Sequence, residues 1–236
     1  MYGHYGMPGS AIASGGSQGG IPRVPISEPT QLFRYGEQSI WSTVLLPQAA
    51  IASSISRSFA TALGGTGQGF TRALTIGETN IKEGGRIPNG VAYDVFGISA
   101  HIMAGSAAND NAGNDFDTAI NSDNQIQNLT DLLNNGVLTW DFTQTQVDIA
   151  PLSLCGSGGG VFGSVGVVAN NQQRVGHLGN GNGSVWMYRK HPVALPGNTT
   201  FAVLLRIGSR ASALQDTVVG VKITLMGYYK NVIEIG

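Results

Sequence analysis

Charge and cysteine are both scarce in this chain. Of its 236 residues only 11% are Asp, Glu, Lys or Arg, against roughly 25% in an ordinary soluble domain. A single cysteine, Cys155, excludes an internal disulfide and any metal centre built on several thiolates; it reads as a small buried apolar side chain. No run reaches the roughly 18 apolar residues of a membrane-spanning helix. Residues 1–6 show no basic region leading into an apolar run, so no secretory signal is expected. The Asn-X-Ser/Thr triplets at Asn128, Asn182 and Asn198 are accordingly read as chance.

Catalytic signatures are missing too. There is no G-x-x-x-x-G-K-[ST] phosphate loop, no G-x-S-x-G nucleophile turn and no His-Glu-x-x-His pair. The four histidines, His4, His101, His177 and His191, are scattered. Residues 158–163 match G-x-G-x-x-G. A dinucleotide loop needs a following helix and an acid about 20 residues on; here a Val- and Gly-rich stretch follows and no acid comes before Asp216. It reads as a turn entering a strand. The loop of residues 110–117 gathers Asp110, Asp115 and Asp117, hard oxygens that suit Ca²⁺. It lacks the glycine at the sixth position and the glutamate at the twelfth, and reads as a solvated acidic loop. No metal, no cofactor and no enzymatic activity are expected.

What the chain has in quantity is glycine, 35 residues, with much Asn, Ser and Thr. That mix suits short strands and turns and suits long helices badly. Residues 1–30 form a separate Gly/Pro-rich stretch, expected to be a flexible arm that orders only against a neighbour or an inner layer. Beyond it, strands are expected over residues 38–46, 70–76, 91–103, 137–149, 161–169, 184–190 and 199–207. The clearest is the last: Val219, Val221, Ile223, Leu225 and Tyr229 alternate with Lys222, Thr224, Tyr228 and Lys230, the period of a half-buried antiparallel strand. Two short helices are expected. One spans residues 48–63, on the four-residue spacing of Ile51, Ile55, Phe59 and Leu63. The other is capped by Ser122 or Asp123 and ends at Asn134-Asn135-Gly136. Eight or nine strands without regularly interposed helices predict an all-β fold, a single jelly-roll β-sandwich over residues 31–236 with long loops.

The few charges are sorted along the chain. Between Ile87 and Gln173 there is no Lys or Arg but there are eight Asp; between Ile149 and Gln215 there is no acid but there are five bases. Neutrality is thus the sum of an acidic and a basic block, which suits a protein covered by copies of itself, acidic face on basic face. The alternative is incidental sorting between neighbouring strand groups. The candidate subunit-interface residues are Arg174, Arg189, Lys190, Arg206 and Arg210 on one side and Asp115 and Asp117 on the other. The basic-aromatic cluster Trp186, Tyr188, Arg189, Lys190 and His191 is too small for a nucleic-acid surface and reads as a strand edge or a subunit contact.

The C-terminal segment Val219-Gly-Val-Lys-Ile-Thr-Leu-Met-Gly-Tyr-Tyr-Lys230 resembles the last strand of jelly-roll capsid proteins from tailless icosahedral phages and viruses. The segment from Leu74 to Pro88, followed by the strand of residues 91–103, looks like the loop-and-strand opening of such a domain, and a glycine-rich arm fits that class. The resemblance spans residues 30–236 as a texture, without a diagnostic motif. It implies a virion structural protein that self-assembles into an icosahedral shell. Its partners would be copies of itself, other virion proteins and, through the arm, inner membrane lipid or genome. A reading of a different class is a trimeric β-sandwich adhesin or carbohydrate-binding head, in which Trp186 and Tyr188 stack on sugars.

Overall fold

Strand alternation and turn chemistry give two antiparallel sheets that share one core. The structure is a computed structural model that describes residues 32–46, 51–105, 130–142, 145–155, 159–162, 177–180, 185–188, 190–211 and 218–233. The arm of residues 1–30 lies outside these, and the compact unit spans Gln31–Gly236. Eleven strands are present among the described residues: β1 (Leu32–Leu46), β2 (Ile55–Ser58), β3 (Val91–Gly105), β4 (Gly136–Phe142), β5 (Thr145–Pro151), β6 (Gly159–Phe162), β7 (His177–Asn180), β8 (Trp186–Met187), β9 (Val193–Leu195), β10 (Phe201–Ile207) and β11 (Val218–Ile233). One sheet has the order β1-β11-β3-β8, with β9 also on β3; the other has the order β2-β10-β4-β5; β6 and β7 form a separate hairpin.

The core lies between the two larger sheets. Val44, Leu46, Val95, Ile98, Ala100, Ile102, Val221, Ile223 and Leu225 face it from the first, and Leu138, Trp140, Phe201, Val203 and Leu205 from the second, all buried. The expected alternation along β11 holds: Val219, Val221, Ile223 and Leu225 are buried while Tyr228 is half exposed. The run Phe201-Ala-Val-Leu-Leu205 is instead apolar throughout, and β10 is buried on both faces there, as a strand hydrogen-bonded on both sides and covered on both faces requires. Cys155 is buried and free, and burial pushes its thiol up to about 12, so it behaves as an apolar filler.

The long loop of residues 59–90 seals the β1 edge. The Trp41 N–H donates to the Asn80 side-chain oxygen at 2.8 Å, the Asn80 amide donates back to the Ser39 carbonyl at 2.9 Å, and the Leu45 N–H meets the Gln68 carbonyl at 3.1 Å. A strand edge left bare would be a template for uncontrolled pairing. Phe70 and Leu74 cover Leu45 on the outer face. The loop is tied by Glu78, whose carboxylate receives both Arg72 guanidinium nitrogens at 2.6 and 3.0 Å and the Thr75 N–H at 2.7 Å. Burial alone would raise the Glu78 pKa, but Arg72 and the two Thr75 donors outweigh it and hold it below the ordinary carboxylate value. In the middle of β11, where the register shifts between Met226 and Gly227, the Tyr93 hydroxyl lies between the Gln38 and Leu225 carbonyls.

Four sequence expectations change. Residues 51–63 contain no helix. Ile51 and Phe59 are buried but Ile55 and Leu63 are 55% and 47% exposed, so the four-residue spacing is no single face. Ser53 and Phe59 take left-handed φ of 58° and 63°, which breaks a helix, and residues 55–58 pair with β10. Residues 70–76 form no strand; only isolated bridges such as Thr66–Ala73 occur, because the loop spends its hydrogen bonds on the β1 edge and on itself. Residues 137–149 are not one strand but parts of two, β4 and β5, which pair antiparallel with Phe142 opposite Thr145. The strand expected at 184–190 shrinks to Trp186–Met187. Of the second helix, residues 130–135 are helical, with Leu132 fully buried; its expected cap lies outside the described residues, as do the acidic loop of residues 110–117 and most of the strand expected at 161–169. No described helix is long and apolar enough to cross a membrane, which says nothing of strands.

Candidate functional site

The feature with most chemical variety is a cleft of about 850 Å³ at one side of the sandwich, between the β5 edge of the shorter sheet and the β8 region of the longer one. Tertiary pairing positions both walls. β8 is held to β3 through Gly97↔Met187 and Ile98↔Trp186, and the Tyr188 N–H extends the contact to the Phe96 carbonyl at 2.9 Å. On the other wall, Trp140 and Phe142 of β4 stack with centroids 5.5 Å apart and planes 16° apart. The Trp140 indole N–H donates to the Tyr188 hydroxyl at 2.7 Å, so one hydrogen bond crosses between the sheets. Trp140 is buried, whereas Phe142, Trp186 and Tyr188 are only part buried and face the opening. Burial raises the Tyr188 pKa, the Trp140 donor opposing it, so the phenol stays protonated.

Charge sits on one rim and on the adjoining outer face of the shorter sheet. Asp148 is on β5, with its Oδ1 accepting from the Thr139 hydroxyl at 2.7 Å and from Arg206 at 3.4 Å. Lys190 and His191 are exposed on the opposite side. Sequence reading singled out Trp186, Tyr188 and Lys190 as a cluster but missed Trp140, Phe142 and Asp148. The signal that links them is the registry Thr139↔Asp148 and Trp140↔Val147 in the β4–β5 hairpin, which was hidden while residues 137–149 were read as one strand.

The candidate interface residues are only partly brought into view. Arg206 lies on β10 and pairs within the chain with Asp148, the two side chains 47% and 66% exposed; Arg210 and Lys190 are exposed. Arg174, Arg189, Asp115 and Asp117 lie outside the described residues. A second pair joins Arg57 of β2 to Asp141 of β4 at 3.0 Å. Two acids of the acidic block are thus engaged inside one subunit, on the outer face of the shorter sheet. Among the described residues no three His, Cys, Asp or Glu side chains come together as a metal site. His101 is half buried on β3 opposite Lys222 of β11, its pKa lowered by burial and then by that ammonium. Within the G-x-G-x-x-G stretch residues 159–162 form β6, paired with β7; the residues that follow it lie outside the described ones.

Comparison with known proteins returned no matching family model, no matching curated protein and no matching solved structure.

Proposed function

We propose that the sandwich is a jelly roll and that the protein is the self-assembling subunit of an icosahedral virion shell. The observation that carries this reading is the nesting of the strand pairs. Setting aside the β6–β7 hairpin and counting β8 and β9 as one broken strand, eight strands remain. The first pairs with the last (β1·β11), the second with the next to last (β2·β10), the third with β8 and β9, and the fourth with its neighbour (β4·β5), all antiparallel. A single hairpin ribbon folded over itself gives this order, and two Greek keys in two four-row sheets are the plan shared by viral shell domains, lectin domains and cupins.

Within that plan the shell reading draws on three further features. Only 11% of residues are charged and the signs are sorted, which fits a surface largely covered by copies. The β1 edge is sealed by its own loop, so copies would meet through side chains and loops rather than by sheet extension. Large apolar side chains, among them Ile55, Ile76, Leu154 and Tyr228, stand half or more exposed, as contact residues in a free subunit would. Electron microscopy and light scattering of the purified protein, at low and at physiological salt, test the reading. Closed particles or large symmetric oligomers are expected; a strict monomer at high concentration in both conditions overturns it.

A further inference from the structure

We propose that the cleft between β5 and the β8 region binds a saccharide, whether the copies form a closed shell or a small oligomer. The cleft offers part-exposed aromatic faces on Phe142, Trp186 and Tyr188. A pyranose has an apolar C–H face that stacks on such rings and a hydroxyl edge that needs polar partners. Those partners are present and unspent. The Tyr188 oxygen accepts the Trp140 indole N–H, which turns its own proton away from Trp140 and leaves it free to donate. Asp148 borders the cleft, but its carboxylate is held by Thr139 and Arg206 on the outer face, so the polar partners come from the opposite rim. Lys190 stands on the far rim as a further donor.

Two other kinds of occupant fit less well. An acyl chain would strip water from Lys190 and His191 without giving them partners. An extended peptide would need a continuous strand edge, but β5 is bulged where Thr139 pairs with Asp148 and Leu138 with Ala150, and it ends at Pro151; both features interrupt a ladder. A sugar needs no ladder and uses both the rings and the rim.

The test titrates the full-length protein with galactose, N-acetylglucosamine, N-acetylneuraminic acid and maltotriose, read by tryptophan fluorescence and by saturation transfer to the sugar-ring protons. Binding of at least one at roughly millimolar strength is expected, with Trp186→Ala weakening it about tenfold and Tyr188→Phe about fivefold. Tyr188→Phe keeps the ring and the packing, so it remains decisive if Trp186→Ala fails to fold. The proposal is overturned if none of the four sugars transfers saturation, in the subunit or in the assembly. Unchanged affinity in a folded Tyr188→Phe and Trp186→Ala pair, or displacement of bound sugar by none but dodecyl-chain detergent, also overturns it.

Discussion

The two larger sheets use the same alternating chemistry at different lengths. In the longer sheet β1, β3 and β11 run 15, 15 and 16 residues, and its β1 edge is closed by a loop with a part-buried ion pair. In the shorter sheet the strands run 4 to 7 residues. Its outer face carries the two exposed ion pairs and its β5 edge forms one wall of the cleft. Length lets the first sheet bury an unbroken row of β-branched and leucine side chains. The second compensates with bulk, placing Phe201 in ring contact with both Phe59 and Trp140. The comparison teaches that one sheet serves as scaffold while the other holds the aromatic keystone and presents the polar chemistry.

The sharpest way to break this comparison is to remove the keystone. Phe201 is fully buried between Phe59 and Trp140, and Phe201→Ala is expected to cost about 3–5 kcal/mol. Ile223→Ala in the longer sheet, also fully buried, should cost less, about 2–4 kcal/mol, because its neighbours are smaller and can close in. Urea denaturation of both variants measures the difference, and equal or reversed costs would remove the keystone from the shorter sheet.

The sealed edge is the next target. Glu78→Gln leaves the part-buried Arg72 guanidinium without its counter-charge, and is expected to destabilise by about 2–3 kcal/mol at neutral pH. The sign with acid follows from the lowered Glu78 pKa. Its contribution is fully present above the ordinary carboxylate value and fades as pH falls through the folded value. Melting temperatures of wild type and variant should therefore converge on acidification; a constant gap would mean that shape rather than charge holds the loop. A smaller loss, about 1–3 kcal/mol, is expected for Tyr93→Phe, which strips two strand carbonyls of their shared donor. Hydrogen exchange should report it as faster opening around Gln38 and Leu225 and not in the shorter sheet.

What was legible in the sequence follows from which interactions are local. The alternation of Val219, Val221, Ile223 and Leu225 marked β11 because period two is a local signal, and the strand over residues 91–103 was also read from the sequence. The all-β class followed from glycine and turn residues without helical periodicity. The expected helix at residues 48–63 was lost because Ile51 and Phe59 face a core that Ile55 does not, a distinction set by pairing with β10 nearly 150 residues away. The division between β4 and β5 was missed because neither glycine nor proline falls in the sequence between Phe142 and Thr145. Half of the cleft was visible as an aromatic cluster around Trp186; the other half, Trp140 and Asp148, arrives through cross-strand register, which no spacing in the chain encodes.

The smallest expected effect on the fold belongs to the charged face. Arg206 and Asp148 are both largely exposed at 3.4 Å, so solvent screens them, and reversing Arg206 and Arg210 to Glu should shift unfolding by less than about 1 kcal/mol. The same reversal bears differently on assembly. In the shell proposed above, a contact worth only about a few tenths of a kcal/mol would be repeated at every copy, and placing acids where bases would meet acidic neighbours would turn each attraction into repulsion. Light scattering at low salt should therefore show assembly delayed or lost in the double variant while circular dichroism and melting remain near wild type, and added salt should narrow the gap by screening. Normal assembly of the double variant would assign Arg206 to its intrachain partner alone and leave the face as part of one subunit's own charge balance. Loss of folding together with assembly would instead make the pair part of the shorter sheet's stability, and would erase the division between a scaffold sheet and a presenting one.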